Sequence, residues 1–279
     1  MTADELNQAG REALHRGDFD QAIDLFGQAC SLAPDWAAPF YNLGLTHKCL
    51  HGWPESFQAN LAAFRLDPDD DPTVWNLAIA AVALNRWEEA GMAFRAIGLK
   101  VPDTPGPWDL ELGLVPIRIN PDHSGEVVWC DRLDPVRARI ANVPLPDSGR
   151  RFGDLLLNDG EPRGYREYDG REVPVFDELE VLEESSHQTY ELEVEAADER
   201  AIEDLAAHLS EHEIYLEDWT STLRMLCKAC SEGRPHDAHD HELPPTAAGH
   251  HYLGIAARSL EELDSLIKNW PRVEVLARR

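Results

Sequence analysis

Pro34, Pro68 and Pro102 stand 34 residues apart, and the residues ahead of each recur at the same spacing. Ala22, Phe26 and Ala29 precede the first proline, Ser56, Asn60 and Ala63 the second, and Ala90, Phe94 and Ile97 the third. Further upstream lie Leu6, Ala9 and Gly10, then Phe40, Leu43 and Gly44, then Val74, Leu77 and Ala78. Steps of three and four residues put each set on one face of a helix, and the small residues let two helices approach closely. The period therefore predicts stacked helix pairs.

The order Leu-Gly, then Ala-x3-Phe, then Pro over 34 residues resembles the tetratricopeptide repeat. The resemblance covers residues 3 to about 104 in three copies. It departs from the family at Ser56 and Asn60, and at His47 where an aromatic residue is usual, so the second repeat is expected to pack less tightly. The resemblance implies that the inner helix of each pair lines a concave groove for peptides or protein termini. The period places Gln8, Asn42 and Asn76 there as successive rungs, with Asn7, Tyr41 and Trp75 as an adjacent row and Leu45, Ile79 and Val82 as apolar surface. Carboxamides donate and accept, so they can satisfy the backbone of an extended peptide without reading its sequence. The cations that clamp a terminal carboxylate in chaperone-binding members are missing at these rungs, apart from Arg11 and Lys48. A partner with apolar or aromatic anchors is expected instead. In the alternative, Tyr41 and Trp75 pack against the chain's own middle domain and the array is an internal scaffold.

With 279 residues the chain has room for two or three compact units. Its formal net charge of -27 disfavours nucleic acid and anionic membranes, whose binding depends on neutralising phosphate with Lys and Arg. A basic protein or peptide is an easier partner, although solubility alone would also account for the charge. MTADELNQAG lacks the basic and apolar regions of a signal peptide, and no run is apolar enough to span a bilayer, so a soluble cytoplasmic protein is expected. The five cysteines are odd in number and scattered, which argues against a disulfide framework. Cys30, Cys49 and Cys130 fall in helical or strand-like runs and are expected to be small buried hydrophobes.

The organisation expected is an α+β chain of several domains. Residues 1–104 form the helical array, and 105–125 a linker in which Trp108, Leu110, Leu112 and Leu114 cover its end. Residues 126–184 form a small β-rich barrel or curled sheet, with turns at Asp159-Gly160 and Asp169-Gly170. Arg137 and Arg139 share one strand face there, as a solvated face paired to carboxylates or, less simply, as an anion site. Residues 185–279 carry an internal echo, strand-helix-strand twice, which predicts a ferredoxin-like sandwich of a four-stranded antiparallel sheet with both helices on one face. Its helices are expected to bury Ile202, Leu205, Ala206 and Leu209, then Leu260, Leu263, Leu266 and Ile267.

Between the two halves of the echo, in a loop at 225–251, lies the one cluster whose residue types call for chemistry. Cys227 and Cys230 can chelate one ion from a tight turn, and His236 and His241 can complete a tetrahedron at zinc. His239 can replace either imidazole, and His250 or His251 can fold back across Pro244-Pro245. Such an ion would order a segment that has no apolar periodicity. Competing readings are a redox pair, a solvated histidine loop, or a helix that buries Cys227. Two functional classes follow: a non-catalytic adaptor with structural zinc, or a metal-dependent regulator or enzyme in which the loop is the working site and Glu232 or Glu242 a candidate base. Four protein ligands leave no open position for water, which favours the adaptor. Self-association through the sheet edges is a further possibility.

Overall fold

In a computed structural model, residues 1–123, 125–222, 249–268 and 270–278 are described. The chain divides into two compact units, Met1–Leu110 and Glu111–Arg279.

The first unit contains α1 (Ala3–His15), α2 (Phe19–Leu32), α3 (Ala37–Cys49), α4 (Trp53–Leu66), α5 (Asp71–Ala83) and α6 (Trp87–Ala96). These are the three expected helix pairs. Local chemistry sets their ends. Thr2 and Glu5 close a capping box on α1, and Asp18 and Asp70 accept from the first turns of α2 and α5. Before Pro34 and Pro68, Ala33 and Asp67 leave the helical region at φ -134° and -142°. Proline Cδ disfavours helical geometry in the preceding residue, which is how the period ends the first two pairs, whereas α6 stops at Ala96 ahead of a left-handed Gly98 at φ 78°. Within each pair the turn needs a left-handed residue, supplied at equivalent positions by Gly17, His51 and Asn85 at φ 75°, 54° and 56°.

Close approach also follows the period. A Cβ on Gly10 would stand 2.6 Å from the Phe26 ring, and one on Gly44 2.4 Å from the Asn60 amide. In the second repeat the slot is polar. Ser56 Oγ donates to the Gly44 carbonyl at 2.9 Å and Asn60 Nδ2 to the Ser56 carbonyl at 2.9 Å, while the fully buried Asn60 Oδ1 has no hydrogen-bond partner among the described residues. The open end of the third pair is covered by Trp108, 6% exposed, which meets Trp87 and Phe94 edge-on at 5.6 and 6.4 Å. Its indole Nε1 donates to the Thr104 carbonyl at 2.8 Å. Leu112 and Leu114, expected to help cover it, are both exposed.

In the second unit, β1 (Leu114–Ile119), β2 (Glu126–Arg132), β3 (Arg137–Ile140), β4 (Leu155–Tyr168) and β5 (Arg171–Glu183) close into a barrel in sequence order. Each consecutive pair is antiparallel, so with an odd number of strands the first and last point the same way. β1 and β5 accordingly pair in parallel at Ile117 and Phe176. Ile117, Ile119, Val128, Ile140 and Leu156 fill the interior. β1 lies inside the stretch 105–125 read as linker. Asp169-Gly170 is the hairpin turn, with φ 50° and 69°. Asp159-Gly160 is not a turn: β4 runs through it with register shifts at Asn158 and Pro162, so there glycine marks a bulge rather than a reversal.

β6 (Gln188–Ala196), β7 (Tyr215–Asp218), β8 (His250–Ala257) and β9 (Val273–Arg278) form an antiparallel sheet in the order β7-β8-β6-β9. α7 (Glu199–Ser210) follows β6, a single turn α8 (Trp219–Thr222) follows β7, and α9 (Leu260–Ile267) lies between β8 and β9. Ile202, Leu205, Leu209, Leu263 and Ile267 from α7 and α9 share one core with Leu192, Val194, Leu253 and Ile255. Leu260, expected inside, is 43% exposed because it opens α9 one residue after its Ser259 cap. The boundary drawn at 184/185 does not separate two bodies. Val143, Leu145 and Phe152 from the barrel side pack with Tyr215, Trp219 and Ala256 of the sheet side.

Candidate functional site

α1, α3 and α5 run side by side, and their shared surface carries the residues expected to meet a partner. Gln8 is exposed and donates to Glu12 at 3.3 Å. Asn42 is half-buried and donates through Nδ2 to Asn7 Oδ1 at 2.9 Å, across the α1–α3 boundary. Asn76, 5% exposed, accepts at Oδ1 from Lys48 Nζ at 3.0 Å, across α3–α5. Rungs of equivalent position therefore do not stand apart as separate amides. Asn42 and Asn76 are stitched between helices, whereas Gln8 bonds within α1, and Lys48, read with Arg11 as a cation near the groove, is one of the stitches. Tyr41 and Leu45 are half-buried. Trp75 is half-buried with its ring edge-on to Phe94 at 6.1 Å. Ile79 and Val82 are buried, so they support the array from within rather than offering apolar surface. The surface left for contact is Gln8, Tyr41, Asn42, Leu45 and the outer part of Trp75.

Charge in the second unit is placed differently. Arg137 is 5% exposed and its Nε donates to Asp134 at 2.6 Å, while Asp134 also accepts from the backbone of Val136 and Arg137. The solvated face expected for Arg137 and Arg139 is thus corrected for Arg137, because the strand turns it onto a carboxylate at 0% exposure. Arg139 stays partly exposed and donates to the Gly153 carbonyl at 2.8 Å. Arg118 with Asp177, and Arg150 with Glu178, are further pairs at 2.7 Å. Both guanidiniums have their own carboxylate, which leaves neither built for a free anion.

Cys227, Cys230, His236, His239 and His241 lie outside the described residues. Among the described residues no group of three or more His, Cys, Asp or Glu side chains is arranged to hold a metal ion. His250 Nε2 lies 2.8 Å from Glu193 and His251 Nδ1 2.7 Å from Asp218, so each imidazole on β8 has a carboxylate partner on a neighbouring strand. Burial pushes the Cys30 thiol up to about 11 and the Cys130 thiol well above its usual range, which keeps both unreactive. Cys49, expected inside, is exposed at the end of α3.

Sequence reasoning missed the pairing of Asn7 with Asn42 and of Lys48 with Asn76. The signal was present, since all four lie on inner helices, but the period aligns equivalent residues and says nothing of diagonal ones. It also missed a carboxylate pair, Glu126 and Glu217, at the junction of the barrel with the four-stranded sheet. Nothing local marks that pair.

No described protein family matches the chain, and no curated protein matches it. Solved structures similar to part of it include tetratricopeptide domains. The TPR2B domain of yeast Sti1 in complex with an Hsp70 peptide is 22% identical, over 34% of this chain and 75% of that one, with a TM-score of 0.32. The second such domain of Spaghetti (RPAP3), bound to the HSP90 peptide SRMEEVD, is 16% identical over 35% and 90%, with a TM-score of 0.33. The Arabidopsis OM64 domain is 20% identical over 36% and 83%, with a TM-score of 0.33. Among the described residues no helix is long and apolar enough to cross a membrane.

Proposed function

We propose that the chain is a non-catalytic adaptor whose N-terminal array, three tetratricopeptide repeats, captures an extended segment of a protein partner along α1, α3 and α5. The observation that carries this reading is the partly exposed seam of Gln8, Tyr41, Asn42, Leu45 and Trp75 on successive inner helices, where amides and aromatic edges lie together. Amides serve a peptide backbone, and half-buried aromatic rings make anchors at low entropic cost. With Lys48 held by Asn76, one exposed cation, Arg11, is left near the rungs, so recognition of an acidic tail is not the favoured mode. The test is selection of extended peptides on the full chain, followed by the double variant Gln8→Ala, Tyr41→Ala. Affinity should fall tenfold or more with the melting curve unmoved. Undiminished binding would remove the groove from this reading.

The second unit is proposed to end in a ferredoxin-like fold, supported by its strand-helix-strand repeat and the order β7-β8-β6-β9. A structural zinc held by Cys227, Cys230, His236 and His241, with His239 as substitute, remains the reading that their spacing supports. Its alternative is a metal-dependent regulator or enzyme with three protein ligands and a bound water. Zinc content of the purified chain with a Cys227→Ser control, and the ligand number by X-ray absorption, separate these. A fully folded chain without metal would end both.

A further inference from the structure

Four residues after β3, Asn142–Leu145, are gripped from both sheets of the second unit. Glu217 on β7 accepts from Asn142 Nδ2 and from the Val143 backbone N–H, each at 2.9 Å. Trp219 Nε1 donates to the Val143 carbonyl at 3.1 Å, and the Trp129 N–H on β2 donates to Asn142 Oδ1 at 2.9 Å. Glu126, the first residue of β2, faces the far end of the segment and accepts the single N–H of Leu145, which lies 3.2 Å from both its oxygens. The two carboxylates are half-buried, and among the described residues neither has an ion-pair partner. Asp134 and Glu178, by contrast, each face an arginine.

The two acids are not equivalent. An ionised carboxylate out of water needs several donors, and Glu217 has two good ones while Glu126 shares one long one. Of the pair, Glu126 is therefore the one to carry a proton. We infer that the Asn142–Leu145 junction is a proton-operated latch, closed while Glu126 is protonated and loosened when Glu126 is ionised beside Glu217. This goes beyond the adaptor reading and does not depend on it. The groups facing Glu126 are Glu217 from β7, uncharged Ile119 opposite it on β1, and the segment itself, which has no titratable side chain.

Burial, opposed by the Leu145 N–H and reinforced by Glu217, pushes the Glu126 carboxyl up to about 7. A carboxyl raised on folding gives stability that is complete below its ordinary value of 4.5 and is lost as pH rises through about 7. Between pH 6 and 8 the closed junction should lose roughly tenfold in its equilibrium over the open one.

Amide hydrogen exchange at Val143 and Leu145 in the full chain, corrected for the intrinsic rate, reads this directly. About a tenfold loss of protection is expected between the two pH values in the wild type and none in Glu126→Gln. Equal protection at both pH values in the wild type, or a loss that persists in the variant, overturns the latch. Should Glu126→Gln fail to fold, carboxyl carbon-13 titration of the wild type decides. One glutamate titrating near neutral pH supports the latch, and all titrating below about 5.5 sinks it.

Discussion

The helical array and the β-rich unit both bury polar side chains, and they neutralise them by opposite means. In the array the buried polar residues are mostly neutral: Asn7, Thr46, Ser56, Asn60, Thr73 and Asn76, with Lys48 held by an amide. In the β-rich unit they are mostly ions, Arg118, Asp134, Arg137, Asp154 and Glu178. The difference follows from geometry. Helices satisfy their own backbones, so a side chain between them needs only one neighbour to bond, and amides and hydroxyls suffice. Barrel rims and strand ends leave backbone N–H groups in clusters, and a carboxylate can accept several at once, as Asp134 does with Val136 N, Arg137 N and Arg137 Nε. The stability of the array should therefore depend little on buried ion pairs, and that of the β-rich unit heavily.

The largest expected effect breaks this comparison at its strongest point. Asp134→Ala strips one buried carboxylate from a buried guanidinium and from two backbone N–H groups. Removing one partner of such a pair costs about 3–5 kcal/mol, far more than the pair contributes as a whole, because the remaining charge stays out of water. The β-rich unit should melt well below the wild type while far-UV helix signal from the array persists to its usual temperature. Joint loss of both signals in one transition would show that the two units do not have separate stabilities.

A smaller effect is expected inside the array. Gly10→Ala places a methyl where the Phe26 ring already lies at 2.6 Å, and the ring has no room to retreat at 0% exposure. Overpacking of this kind costs about 1–3 kcal/mol, partly offset by the better helix propensity of alanine, up to about 1 kcal/mol. Urea melts followed at 222 nm read the sum. An unchanged midpoint would mean that the close approach of α1 and α2 is slack.

What was legible in the sequence follows the same division. The helix pairs could be read because their determinants are local and repeat: prolines that force Ala33 and Asp67 out of the helix, and small residues facing Phe26 and Asn60. The strand-helix-strand echo in the second unit was legible for a similar reason, since Leu192 and Val194 alternate on one strand and Ile202, Leu205 and Leu209 step along one helix. The junction was not. Glu126 and Glu217 stand 91 residues apart in the chain, and each reads alone as one more acid among 52 acidic residues. The candidate groove was half legible. Its position followed from the period, but burial of Ile79 and the Lys48–Asn76 bond depend on how far α5 turns, which equivalent positions do not encode.

The smallest effect tests whether the polar slot of the second repeat is a necessity or a tolerated departure. Asn60 occupies the place that Phe26 and Phe94 hold in the flanking repeats, and its Nδ2 is bonded while its Oδ1 is not. An unmade acceptor in a dry slot costs about 1–3 kcal/mol, and the bonds from Nδ2 stay on its own helix, to Ser56. Leucine shares the branching of asparagine and is somewhat larger, so Asn60→Leu removes the orphan oxygen without opening a cavity, at the cost of tighter contact with Gly44. Ser56 keeps its bond to the Gly44 carbonyl, which leaves no new polar atom stranded. The array should gain up to about 1 kcal/mol, read as a rise in its melting midpoint. A loss of the same size would mean that the planar amide fits the packing of α3 on α4 as the bulkier branched hydrocarbon does not, and the contrast between a neutral array and a charged β-rich unit would then understate how much the array depends on its polar contacts.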